Sequence, residues 1–70
     1  MINYYDPKRV SIDKGISMIP NSINYILSES LMVLRIYTNK KKRVVKLSKI
    51  NGEILISSVE LQKYIKELIE

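Results

Sequence analysis

Between two apolar runs of this chain stands Asn51-Gly52, and that dipeptide constrains the fold more tightly than any other feature. A two-residue type I′ turn needs positive φ at both central positions. Asn tolerates the left-handed region and Gly enters it without steric cost. Placing the turn there fixes a register in which Ile50 lies opposite Glu53, Lys49 opposite Ile54, Ser48 opposite Leu55 and Leu47 opposite Ile56. Residues 44–50 and 53–57 are therefore predicted to be two antiparallel strands.

A third strand is expected over residues 31–38, which are rich in branched and aromatic side chains and run into the polar tip Asn39-Lys40-Lys41-Lys42. With that four-residue tip, Ile36 faces Val45 and Leu34 faces Leu47 on one side. Tyr37 then faces Val44, Arg35 faces Lys46 and Val33 faces Ser48 on the other. Both registers place Leu34, Leu47 and Ile56 in one layer, and a one-residue slip would turn each of them to the opposite face. After the third strand, Ser57 and Glu60 match the S-x-x-E capping box that opens a helix. Leu61, Tyr64, Ile65, Leu68 and Ile69 follow at the spacing of a single apolar stripe.

Earlier in the chain, Asp6-Pro7 and Asp13-Lys14-Gly15 read as turns bracketing Val10 and Ile12, a short edge strand. From Pro20 onward, Ile23, Ile26 and Leu27 lie at helical spacing behind Asn21 or Ser22 as cap, which predicts a short helix. The expected fold is one small α+β domain over residues 1–70: a three-stranded antiparallel meander, a C-terminal amphipathic helix on one face and a short N-terminal helix. Seventy residues with twelve Ile, seven Leu and five Val can build a core, but a thin one.

The charge is concentrated in one segment. Arg35, Lys40, Lys41, Lys42, Arg43, Lys46 and Lys49 place seven positive charges within residues 35–49 with no acid among them, while the remainder of this +5 chain is close to neutral. Arg35 opposite Lys46 would be a like-charge cross-strand pair, destabilising unless an anion offsets it. The expected partner is anionic. The leading expectation is a nucleic acid, DNA before RNA, bound through a basic β-hairpin by Arg35, Tyr37, Lys40, Lys41, Lys42, Arg43 and Lys46. The bases would hold phosphates and the Tyr37 ring would stack or contact sugar. The alternative is a non-enzymatic protein-binding module that meets an acidic protein surface, of the kind viruses or mobile elements direct against a host factor. Lysines on a hairpin also serve simply to prevent edge-to-edge aggregation. Leu31, Val33, Val44, Ile50 and Leu55 fall on the same face as the cations, so part of it is expected to be covered. The N-terminal segment with Tyr4, Tyr5, Val10 and Ile12, a second copy in a homodimer, or a foreign protein would each suffice.

The element order helix, three strands, helix resembles that of double-stranded-RNA-binding domains. Their phosphate-binding lysines open the second helix, where this chain has Ser58, Val59 and Glu60. It is also similar to integrase-type DNA-binding domains, whose three-stranded sheet enters the major groove; that resemblance implies contact through Arg35, Tyr37 and Lys46. Catalysis is not expected. The chain has no His and no Cys, which removes the commonest bases, nucleophiles and metal ligands, and no cofactor or metal is implied. Gly15 and Gly52 stand singly in expected turns and cannot form a phosphate-cradling loop. The longest apolar run, Leu31–Leu34, is far below the roughly 20 residues of a membrane-spanning helix. The opening residues lack a basic start followed by an apolar stretch, and Ile2 does not fit the myristoylation pattern. A cytoplasmic protein is expected, and the Ile-, Lys- and Asn-rich composition suggests an AT-rich genome.

Overall fold

Asn51 has φ 53° and Gly52 φ 79° in the computed structural model, which describes residues 9–70. In chain order the elements are β1 (Arg9–Ser11), α1 (Ile12–Ser17), β2 (Asn24–Ser28), β3 (Val33–Tyr37), β4 (Lys42–Ile50), β5 (Glu53–Ser57) and α2 (Ser58–Ile69). The five strands form one antiparallel sheet in the order β1-β5-β4-β3-β2. The fold is α+β, but among the described residues the sheet has five strands rather than three. With two more strands, its element order also departs from the helix, three strands, helix layout.

The β4–β5 hairpin has the register that the Asn-Gly turn dictates, from Leu47–Ile56 to Ile50–Glu53. The β3–β4 hairpin is displaced by two residues from expectation. Leu34 faces Val45, Arg35 faces Val44, Ile36 faces Arg43 and Tyr37 faces Lys42. The cause lies in Thr38, whose hydroxyl accepts the backbone N–H groups of Lys40 and Lys41, both at 3.2 Å, while its own N–H donates to the Lys41 carbonyl at 2.9 Å. That closes the chain around Asn39-Lys40 and draws Lys41 and Lys42 out of the tip. A shift of two preserves the faces, so Leu34 and Ile56 still meet in the core with Leu47 packed beside them. It removes the opposition of Arg35 and Lys46, because Lys46 faces Val33.

Residues 24–28 form a strand and not a helix, and β2 pairs with β3 from Asn24–Tyr37 to Ser28–Val33. Ile23, Ile26 and Leu27 satisfy a helical spacing. Tyr25 and Leu27 equally satisfy the alternation of a strand, and pairing along the whole of β3 decides between the two. Leu31 lies outside the strands, in the turn that ends at Met32 with φ 55°.

Val10 belongs to an edge strand, opposite Ile56, but Ile12 begins α1. Gly15, expected in a turn, is buried within that helix, where Ser11 caps the start by accepting the Lys14 N–H at 3.3 Å. Val10 and Ile12 pack against the core on the helix side and do not cover the other face. Tyr4 and Tyr5 lie outside the described residues.

Ser57 caps α2, accepting the Glu60 N–H at 3.2 Å, while the Glu60 carboxylate accepts the Tyr64 hydroxyl at 3.4 Å. The helix lays Leu61 and Leu68 onto the sheet. There they join Ile23, Leu34, Ile36, Val45 and Ile56 in one buried cluster, with Tyr64 and Ile65 alongside. Each such side chain contributes about 1.5–3 kcal/mol by leaving water.

Candidate functional site

Alternation along the strands assigns every side chain of the sheet to one of two faces. Leu34, Ile36, Val45 and Ile56 face the helices and are buried. The residues between them face the opposite way. Beside one another on this outer face, by the observed pairing, are Asn24, Tyr37 and Lys42, then Ile26, Arg35 and Val44, then Ser28, Val33 and Lys46. Ile26 is 48% and Val44 44% exposed, so no described element covers this part of the sheet.

The nine-residue strand β4 serves the two halves of the sheet in succession, pairing with β3 over residues 42–46 and with β5 over residues 47–50. The outer face is divided accordingly. The β2–β3 half carries Arg35, Lys42, Lys46 and Tyr37 with no acid. Arg35 stands diagonally between Lys42 and Lys46, about 7–8 Å from each, while the two lysines, four residues apart on β4, are roughly 13 Å from one another; no two of the three are directly opposed. Across the strands each is flanked by an aromatic or apolar side chain: Tyr37 beside Lys42, Val44 and Ile26 beside Arg35, Val33 beside Lys46. The β5–β1 half carries Ser48, Ile50, Leu55 and the acid Glu53.

The seven residues expected to act together separate into two groups. Arg35, Tyr37, Lys42 and Lys46 share the outer face, and Lys40 is exposed at the tip beside them. Lys41 and Arg43 turn toward α2. Arg43 Nε donates to Glu67 Oε1 at 2.8 Å, and Lys41 Nζ donates to the Glu67 carbonyl at 3.0 Å. This places two cations at the C-terminal end of the helix, where the dipole and the unpaired carbonyls favour positive charge. Arg43–Glu67 is about one-third exposed on both sides, which limits its contribution to roughly 0.2–1 kcal/mol. These two bases fasten the hairpin to the helix and face away from the outer surface. Lys49, opposite Ile54, also points to the helix side and is exposed.

One cation on the outer face was not legible in the sequence. Arg9, on β1, donates through Nη1 to the Ser48 hydroxyl on β4, and its Nε is buried with no hydrogen-bond partner among the described residues. Its position depends on β1 pairing with β5, which no motif announces. The acids of α2, Glu60, Glu67 and Glu70, lie on the other side of the sheet with the helix. The β2–β4 part of the outer face is thus cationic and free of acids, whereas the helix side mixes these acids with Lys41, Arg43, Lys49, Lys63 and Lys66.

Among the described residues no group of His, Cys, Asp or Glu is placed to hold a metal ion, and no helix is long and apolar enough to cross a membrane. No protein-family model matches the chain, and no curated protein or solved structure matches it.

Proposed function

We propose that the chain binds nucleic acid, DNA in the first instance, across the outer face of β2, β3 and β4. The observation that carries this reading is the acid-free group Arg35, Lys42 and Lys46 beside the Tyr37 ring, on a sheet face that no described element covers. The contact set is Arg35, Tyr37, Lys42 and Lys46, extended by Lys40 at the tip. Arginine and lysine on a flat sheet meet phosphates, and the partly exposed Tyr37 beside them offers a ring edge or face for stacking. Lys41 and Arg43 act indirectly, by holding the hairpin against α2. The exposed Ile26 and Val44 between the cations favour a second reading, an acidic protein surface with apolar side chains of its own.

Titration of the protein into labelled duplex DNA, single-stranded DNA and duplex RNA, each at two salt concentrations, tests the proposal. Four phosphate contacts give a slope of log affinity against log salt between about −3 and −4 on duplex DNA. Absence of binding to all three at low salt overturns it and leaves the protein partner.

A further inference from the structure

We infer that β2 is the interface of a symmetric dimer, in which two copies join their sheets edge to edge through Asn24–Ser28. Hydrogen-bond parity shows which groups are on offer. Thr38 donates to Lys41 and Leu47 donates to Met32, so the even-numbered residues of β3 direct their backbone groups toward β4. The odd-numbered ones direct theirs toward β2. Val33, Arg35 and Tyr37 therefore engage Ser28, Ile26 and Asn24. The N–H and C=O groups of Tyr25 and Leu27 point away from the sheet, at its outer edge.

Among the described residues nothing protects the strand that offers them against pairing. Asn-Tyr-Ile-Leu-Ser contains no charge and no proline, whereas charged side chains and proline are the common means of blocking an edge. The contrast lies within the same sheet. Among the described residues, residues 42–46 of β4 have no strand partner on their β5 side, and that segment carries Lys42, Arg43 and Lys46. At the opposite edge, β1 is three residues long and carries Arg9.

The occupant is identified by the strand's own symmetry. Its side chains run polar, large apolar, apolar, large apolar, polar, the same in both directions. A twofold axis through Ile26 and perpendicular to the sheet pairs Tyr25 with Leu27 of the second copy, twice over, which forms four backbone hydrogen bonds. It sets Asn24 beside Ser28 at either end and Ile26 against its counterpart in the close, non-hydrogen-bonded position. Tyr25 and Ile26, 45% and 48% exposed, lose their solvent contact on opposite faces. The nearest cations do not oppose this. The two Arg35 residues stand three strand spacings apart, about 14 Å, beyond the screening length of about 8 Å at physiological ionic strength. Because the axis is perpendicular to the sheet, both outer faces look the same way. The inference does not rest on nucleic-acid binding.

Sedimentation equilibrium over a wide concentration range, without nucleic acid, reads the mass directly. The wild type is expected to reach twice the chain mass. Ile26→Lys and Ile26→Glu, which place like charges against each other at the axis, are each expected to remain at the single mass. An equimolar mixture of the two regains the doubled mass, because Lys then opposes Glu. A wild type that stays at the single mass at every concentration overturns the inference, as does a doubled mass in either variant alone. Amide exchange in the wild type supplies a readout that needs no variant. Tyr25 and Leu27 amides slow as concentration rises while the Ile26 amide, bonded to β3, is protected throughout; unchanged exchange at Tyr25 and Leu27 also overturns it.

Discussion

A Cβ built on Gly15 would come within 2.6 Å of Ile56 Cγ2 and 3.6 Å of Leu61 Cδ2, whereas one built on Gly52 would meet nothing within 4 Å. The two glycines therefore answer to different constraints. Gly52 is needed for its φ of 79°, which Asn adopts only with strain. Gly15 is needed for space, since Ile56 is 1% exposed and has nowhere to move. Asn substitution separates the two cases. Gly52→Asn is strained by this φ and is expected to cost about 1 kcal/mol. Gly15→Asn adds a clash and an unpaired amide beside the core and is expected to cost about 3 kcal/mol. Urea unfolding midpoints for the two variants test this, and equal losses would refute the close approach of α1 to β5. At this scale the sequence was ambiguous, because a lone glycine in Asp13-Lys14-Gly15 looks like a turn until its neighbour in space is known.

The two hairpins show what a sequence discloses about an element and what it conceals. Asn51-Gly52 is a turn with a single conformational solution, so the β4–β5 register was readable. The β3–β4 turn owes its length to a side chain, Thr38, whose hydroxyl holds the Lys40 and Lys41 amides. Composition alone does not distinguish a two-residue from a four-residue tip there. The even displacement kept the core layer but changed every cross-strand partner, and with it the account of the cations. The same limitation hid β2, because five residues are too few for helical and strand periods to diverge. Thr38→Val keeps the shape and removes the acceptor. It is expected to lower stability by about 1 kcal/mol and to speed amide exchange at Lys40 and Lys41, with residues 53–57 unaffected. At α2, Ser57→Ala is expected to cost about 1 kcal/mol for the lost cap, read as a lower urea midpoint.

Across the whole molecule the question is whether net charge or its placement governs association with an anion. A formal charge of +5 attracts any polyanion weakly, and that attraction depends little on which cation is removed. Binding by the outer face depends on it strongly. Two double reversals of equal charge distinguish these cases: Arg35→Glu with Lys42→Glu on the outer face, and Lys63→Glu with Lys66→Glu on exposed positions of α2. Each lowers the net charge by four units. Neither pair touches the buried cluster, so both variants are expected to keep the circular-dichroism spectrum of the parent. The outer-face pair removes two phosphate contacts. It is expected to weaken DNA binding by at least tenfold at low salt and to reduce the salt slope by about 2. The helix pair should leave the slope unchanged. Equal losses from the two variants would mean that long-range charge alone draws DNA to the protein, and the face assignment would fall. Unequal losses in the reverse sense would move the contact to the helix side, where Lys41 and Arg43 already stand beside Glu67.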